Sequence, residues 1–250
     1  MATARDFEGP AYQRIAAEWA ELIDTGKLAD GDRLPTRPEL EDRYGVSRQV
    51  IRDALALLHQ EGYLRSFAAK GTFVHRLPCL DLPMYVLEAQ DRAGDSFVAA
   101  VEAQGHRAAQ RITVETARPS DDIMAALGLS TTDLVTIRRR VRTVDDVPYA
   151  IADSYYPQEL VAGTAIADPA DIKTGARHVL ADLGHEMVSH HDAITARRPH
   201  RREMRDLDIA PAVAVIEHAR TSSTGDGTPV RYMLSILPSD RWRLTYQVSK

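Results

Sequence analysis

Two groups of arginines stand out by their spacing. Arg48 and Arg52 lie four apart in "SRQVIRDALALLHQEG", and Arg138, Arg140 and Arg142 alternate in "TIRRRVRTV". Arginine carries a planar, permanently charged fork that matches a phosphate, a carboxylate or the O6/N7 edge of guanine. Four-residue spacing puts Arg48 and Arg52 one above the other on a helix face. Two-residue spacing puts Arg138, Arg140 and Arg142 on one face of a strand, where three cations repel unless solvent or an anion lies against them. A third group, His185, His190, His191 and Asp192 in "GHEMVSHHD", carries metal-ligand residue types. Adjacent strand residues face opposite ways, so His190 and His191 cannot share an ion, and no metal is expected there. No nucleophile–base pair or metal motif supports catalysis, and no cofactor is expected.

The elements that must position these residues follow from periodicity and punctuation. Tyr12, Ile15, Trp19, Leu22 and Ile23 recur at helical intervals. "TGKLADGDRLP" breaks that helix with two glycines and a proline. In "TRPEL", Thr36 as N-cap and Glu39 three residues on form a capping box, with Pro38 in the first turn. Gly45 ends this short helix in the position that favours a left-handed C-cap, and Ser47 is the natural N-cap of the next, which runs to about Glu61. Its apolar stripe is Val46, Val50, Ile51, Ala54, Leu55 and Leu58. "YLRSF" and "GTFVH" then read as a two-stranded hairpin. The order helix, helix, turn, helix, hairpin is a winged helix-turn-helix. On such a unit, the N-terminal residues of the third helix meet the major groove and its phosphates.

Composition sets bounds. The chain has 250 residues and is 44% hydrophobic, enough for two packed domains. Its one cysteine, Cys79, excludes an intrachain disulfide framework and fits a reducing compartment. No apolar run approaches a membrane span, and "MATARDFEGP" lacks a signal core, so a cytoplasmic protein without membrane partners is expected. The net charge of −5 hides an asymmetry: residues 1–32 carry three basic and seven acidic side chains, and residues 33–76 eight basic and five acidic. Residues 77–92, with two prolines in "RLPCLDLPM", read as a linker between a domain at 1–76 and one at 93–250. The latter alternates strands ("HRAAQRITVETARP", "LVTIRRRVRTVDDVPYAIADSYYP", "HDAITARRPH") with helices, giving a mixed α+β domain.

"LPTRPELEDRYGVSRQVIRDALALLHQEGYLRSFAAKGTFV" resembles, along its whole length, the DNA-binding domain of the GntR family of bacterial transcription regulators. The shared landmarks are the Leu-Pro helix start, the Gly-Val-Ser-Arg turn, the recognition helix, the "EG" stop and the "GTFV" wing strand. The resemblance implies DNA contacts at Ser47, Arg48, Gln49 and Arg52, and at the wing tip near Lys70, Gly71 and Thr72. Pro38 stands where the family often has arginine, and Arg37 beside it is expected to take a phosphate contact instead. Ala69 stands where the wing tip usually has glycine.

The second domain resembles the ligand-sensing (UTRA) domain of the HutC-type branch, which shares the chorismate lyase fold. The family's arginine pair maps onto Arg140 and Arg142. Its usual acidic residue ten positions later is Ala152 here, with Asp153 next to it. On the late strand, Arg231 and Leu237 replace an acid and a tyrosine usual in amino-sugar sensors. The implied effector pocket, with Arg140, Arg142, Asp153, Arg231 and Leu237, is more positive than theirs and suited to an anion. The resemblance further implies a homodimer on a palindromic double-stranded DNA operator, most simply a repressor, and not an enzyme.

Overall fold

A computed structural model describes residues 9–84 and 95–247. These divide into two compact units, one reaching to Pro78 together with Ile209–Val213, the other formed by Cys79–Asp208 and the chain from Ala214 onward.

The first unit has the expected order. Helices α1 (Ala11–Asp24), α2 (Arg37–Tyr44) and α3 (Arg48–Gln60) precede strands β1 (Leu64–Phe67) and β2 (Gly71–Val74), which pair antiparallel. Its core gathers Ile15, Trp19 and Ile23 of α1, Leu40 of α2, and Ile51, Ala54 and Leu58 of α3 around Leu34, Leu64 and Val74. These are the apolar stripes read from periodicity. At the start of α2, the Glu39 carboxylate accepts from the Thr36 N–H at 2.7 Å and from its hydroxyl at 2.8 Å, closing the capping box. The first of these bonds holds the Glu39 carboxyl below its usual range. Gly45 takes φ 61, the left-handed C-cap a side chain would resist.

The second unit is built on a six-stranded antiparallel sheet in the order β4-β5-β6-β9-β8-β7. Its strands are β4 (Ala108–Ala117), β5 (Val135–Val144), β6 (Val147–Pro157), β7 (Ser189–Arg197), β8 (Val215–Ser223) and β9 (Pro229–Pro238). β5 and β6 form a hairpin whose turn residues Asp145 and Asp146 both have positive φ, 48° and 69°, the geometry of a two-residue hairpin turn. Helices α4 (Ser96–Glu102), α5 (Asp121–Leu127), α6 (Gln158–Val161), α7 (Ala176–Asp182) and α8 (Arg201–Leu207) join the strands.

The stretch read as a linker holds ordered structure in its described part. Leu80–Pro83 is a strand, β3, and pairs parallel with β10 (Trp242–Thr245). Arg243 Nε donates to Asp81 at 2.6 Å across this pair. Leu80 and Leu82 point inward and are buried, so burial alternates along the strand up to Pro83. Residues 85–92 of that stretch lie outside the described residues.

Candidate functional site

Arg48, Gln49 and Arg52 form an exposed ridge at the start of α3, while Ile51, Ala54 and Leu58 on the opposite side are buried. Ser47 is the N-cap residue, with extended backbone; its hydroxyl makes no capping bond and is exposed. Gln49 Nε2 donates to both oxygens of Asp53, at 2.8 and 2.9 Å, and Arg52 Nε lies 3.8 Å from the same carboxylate. Asp53 therefore fixes the orientation of two residues of the ridge. Arg37 is exposed at the first position of α2.

The wing tip carries Lys70, exposed, between Ala69 and Gly71. Ala69 adopts φ 62, so the turn keeps the glycine-type backbone without glycine. Gly71 has φ 116, and a Cβ there would meet Arg33 Nε at 3.0 Å. Thr72 is tied through its hydroxyl to Ser66 at 2.9 Å.

A cavity opens within the second unit on the face of the sheet that carries the even-numbered residues of β5 and β6. Strand parity places Arg138, Arg140 and Arg142 of β5 there as expected. The face is buried, not exposed: the three are 3%, 9% and 8% exposed. Their tasks differ. Arg138 donates to the carbonyls of Asp168 and Ala170, clasping the segment that follows α6. Arg142 Nη2 donates to Asp95 at 2.8 Å and its guanidinium stacks 4.6 Å from the Phe97 ring centroid. Arg140 Nη1 stands 3.6 Å from Asp95, and its Nη2 donates to Ser154 Oγ at 2.8 Å.

Arg231 and Leu237 of β9 also line the cavity. Arg231 Nη2 donates to Ser154 Oγ at 3.0 Å and lies 2.9 Å from Met233 Sδ. Leu237, with Leu82, Met187 and Ala152, supplies apolar wall. Asp153 is the one expected cavity residue that the structure places elsewhere. On β6 it faces away from Ala152, opposite Arg139 in register, and accepts from Arg139 Nε at 2.8 Å. Strand parity alone separates it from the cavity.

Sequence reasoning missed a carboxylate that lines the cavity beside these arginines, Asp95. Asp95 caps α4, accepting from the Phe97 N–H at 2.9 Å, and the same side chain reaches the β5 arginines. Burial raises its pKa, but Arg142 and Arg140 outweigh that and hold it below the usual carboxylate range. An acidic residue directly before the apolar run "SFVAAV" is a capping signal that periodicity could have shown.

The far wall is also richer than expected. Asp192 accepts two bonds from Arg220, both at 2.6 Å, and one from His218 at 2.8 Å. Despite burial, these bonds hold its carboxyl down to about 2. His190 lies on the same face, bonded to Ser222 at 2.9 Å, whereas His191 is exposed on the other. Burial, with Arg220 and Arg177 nearby, pushes His190 down to about 4, so it is neutral at pH 7. His190 and His218 are thus parts of a polar wall, and His191 is not. Among the described residues, no cluster of three or more His, Cys, Asp or Glu could hold a metal.

Comparison with known families decides the identity of both units. Residues 11–74 match the model described as bacterial regulatory proteins, gntR family, and residues 103–243 match the UTRA domain. The chain belongs to the GntR family of transcription regulators. Its pairing of a GntR head with a UTRA domain is that of the HutC-type branch. This GntR regulator is 32% identical to an uncharacterised HTH-type transcriptional regulator of Streptomyces coelicolor, over 96% of this chain and 93% of the relative. It is 23% identical to the HTH-type transcriptional repressor NagR of Bacillus subtilis, over 96% of each chain. Among solved structures, a GntR-family transcriptional regulator superposes with a TM-score of 0.62 at 23% identity, covering 97% of this chain and 99% of that one. PhnF from Mycobacterium smegmatis superposes with a TM-score of 0.59 at 21% identity, covering 94% and 99%. These structures share the GntR–UTRA fold. The α3 ridge and wing thus belong to the DNA-binding domain of a GntR regulator, and the arginine-lined cavity lies in its ligand-binding domain. No helix among the described residues is long and apolar enough to cross a membrane.

Proposed function

We propose that this regulator is a repressor that binds a palindromic operator as a homodimer and is released by a small anionic effector. The observation that carries the effector's charge is the excess of arginines over carboxylates among the described cavity residues, with Arg140, Arg142 and Arg231 gathered near Asp95. Buried charge without a matching counter-charge is costly, and an anionic ligand supplies the counter-charge. Leu237 and its apolar neighbours fit a non-polar portion of the same molecule.

DNA reading is assigned to residues 1–76 and sensing to residues 93–250. Ser47, Arg48, Gln49 and Arg52 would enter the major groove, with Arg37 on a phosphate and Lys70, Gly71 and Thr72 at the adjacent backbone or minor groove. A two-fold protein matches a two-fold operator. Repression is supported by two full-length relatives named as repressors, NagR of Bacillus subtilis and MngR of Escherichia coli, the latter 24% identical over 94% of this chain. The effector weakens operator binding only by as much as it prefers the non-binding arrangement.

The test is a thermal-shift screen of anionic, neutral and cationic metabolites, followed by gel shift on the operator. Anions should raise the melting temperature and release DNA. Stabilisation by neutral or cationic compounds alone would remove the anionic effector.

A further inference from the structure

Helix α3, RQVIRDALALLHQ, holds a single acidic residue, Asp53, one turn beyond Gln49 and next to Arg52. A carboxylate so close to a phosphate backbone repels it. The helix dipole does not compensate, because Asp53 is the sixth residue of α3 and the dipole's effect fades within the first turn. A Gln–Asp pair four apart stabilises a helix only slightly. What the pair does is fix an orientation. Gln49 Nε2 donates to both Asp53 oxygens, at 2.8 and 2.9 Å. The reverse orientation would set the amide oxygen against a carboxylate, acceptor against acceptor. Gln49 Oε1 is therefore the end turned away from Asp53, on an exposed residue. A free glutamine can offer a base either its donor or its acceptor end; here the choice is made before DNA arrives. Arg52 Nε lies 3.8 Å from Asp53, with the two side chains 63% and 43% exposed, so water weakens that pair and leaves Arg52 available to DNA.

We propose that Asp53 sets operator specificity as a positioning residue: it holds Gln49 with its amide oxygen outward, so that the pair selects a base carrying an exocyclic amino group, adenine or cytosine, at one position of each half-site. In the major groove, adenine N6 and cytosine N4 are donors, whereas guanine O6 and thymine O4 are acceptors. Gln49 Oε1 and the Asp53 carboxylate are acceptors too, so they meet an amino group favourably and a keto oxygen unfavourably. The carboxylate is also a repulsive element. It lowers affinity for every duplex and for the wrong bases most, which is one way specificity is gained. This rests on the reading that the start of α3 enters the major groove, and it adds which bases one position accepts.

The experiment uses the full chain, selected on a random library of duplex DNA at fixed salt, with the bound pool sequenced. Each wild-type half-site should hold one position, on one strand, where adenine and cytosine exclude guanine and thymine. Asp53→Ala and Gln49→Ala should both relax that position, and that position only, by roughly fivefold or more in relative affinity. Asp53→Ala should at the same time bind an unrelated duplex more tightly than wild type, because a charge that repels phosphate has gone. A residue that merely stabilised the helix would instead lose affinity for all duplexes alike. Asp53→Asn, which keeps an acceptor for Gln49 without the charge, should retain the preference and share the gain on the unrelated duplex. An unchanged profile in Asp53→Ala, or changes at different positions in the two alanine variants, overturns the assignment. If Gln49→Ala leaves the profile intact while Arg48→Ala alters it, α3 still reads the groove and only the Gln49–Asp53 assignment falls. If Arg48→Ala, Gln49→Ala and Arg52→Ala all bind the selected sites as wild type does, the reading of α3 as the DNA-contacting helix falls with it.

Discussion

Identical residues acquire different roles from parity and neighbours. On β5, Arg138 clasps backbone carbonyls, Arg139 turns to the opposite face to pair with Asp153, and Arg142 is answered by Asp95. Alternation was enough to put Arg138, Arg140 and Arg142 on one face. The same rule applied to β6 separates Asp153 from Ala152, so that error was avoidable from the sequence. Asp95 and Ser154 were harder to see, because each acts through a partner more than ten residues away. In the DNA-binding head, Arg52→Ala should weaken operator binding by roughly 1–3 kcal/mol if the guanidinium reads a base. Gel shift against the operator measures it, and unchanged affinity would remove Arg52 from the interface. Lys70→Ala should weaken binding to all sequences alike and lower the salt slope by about one, as expected of a phosphate contact. A sequence-selective loss would contradict that role.

At the scale of elements, residues 11–74 were legible because each boundary carries its own chemistry. The capping box at Thr36 and Glu39 and the left-handed Gly45 are local signals with local causes. Gly45→Ala would force a Cβ into φ 61, at a cost of about 1–2 kcal/mol. Urea denaturation should show that loss even though the space around Gly45 is open. Equal stability would mean that the turn relaxes out of the left-handed region. The second unit was less legible. Helix α5 went unread although Ser120 precedes it and Gly128, at φ 64, ends it. Strand β3 was hidden for a different reason. Its hydrogen-bond partner is β10, at the other end of the domain, and a parallel pair leaves no hairpin signature.

Taken whole, the molecule carries a charge of −5, yet both of its candidate surfaces for anions are built from arginine. Local placement outweighs the total within a Debye length of about 10 Å. Its acid sensitivity follows from the far wall of the cavity. His190 has its pKa depressed to about 4, so the stability it contributes is fully present above its unfolded value and is lost as pH falls towards 4. Asp192, depressed to about 2, contributes stability that is present above the usual carboxylate range and lost as pH falls through it towards 2. The melting temperature should therefore fall in two stages on acidification, the first between roughly pH 6.5 and 4. His190→Gln should flatten the first stage; an unchanged profile would exclude His190 as its origin.

The pairing of β3 with β10 has a consequence for how the protein is made. Asp81 and Arg243, bonded across that pair, are 162 positions apart in the chain. The hydrophobic core cluster of the winged helix gathers residues 12 to 74, and Ile209–Val213 joins that unit later in the chain. A ribosome therefore releases everything that core needs long before it has made the strand that closes the sensor, and domains fold as units during synthesis. Throughout the remaining translation, the nascent chain carries a DNA-reading head whose effector domain is still incomplete.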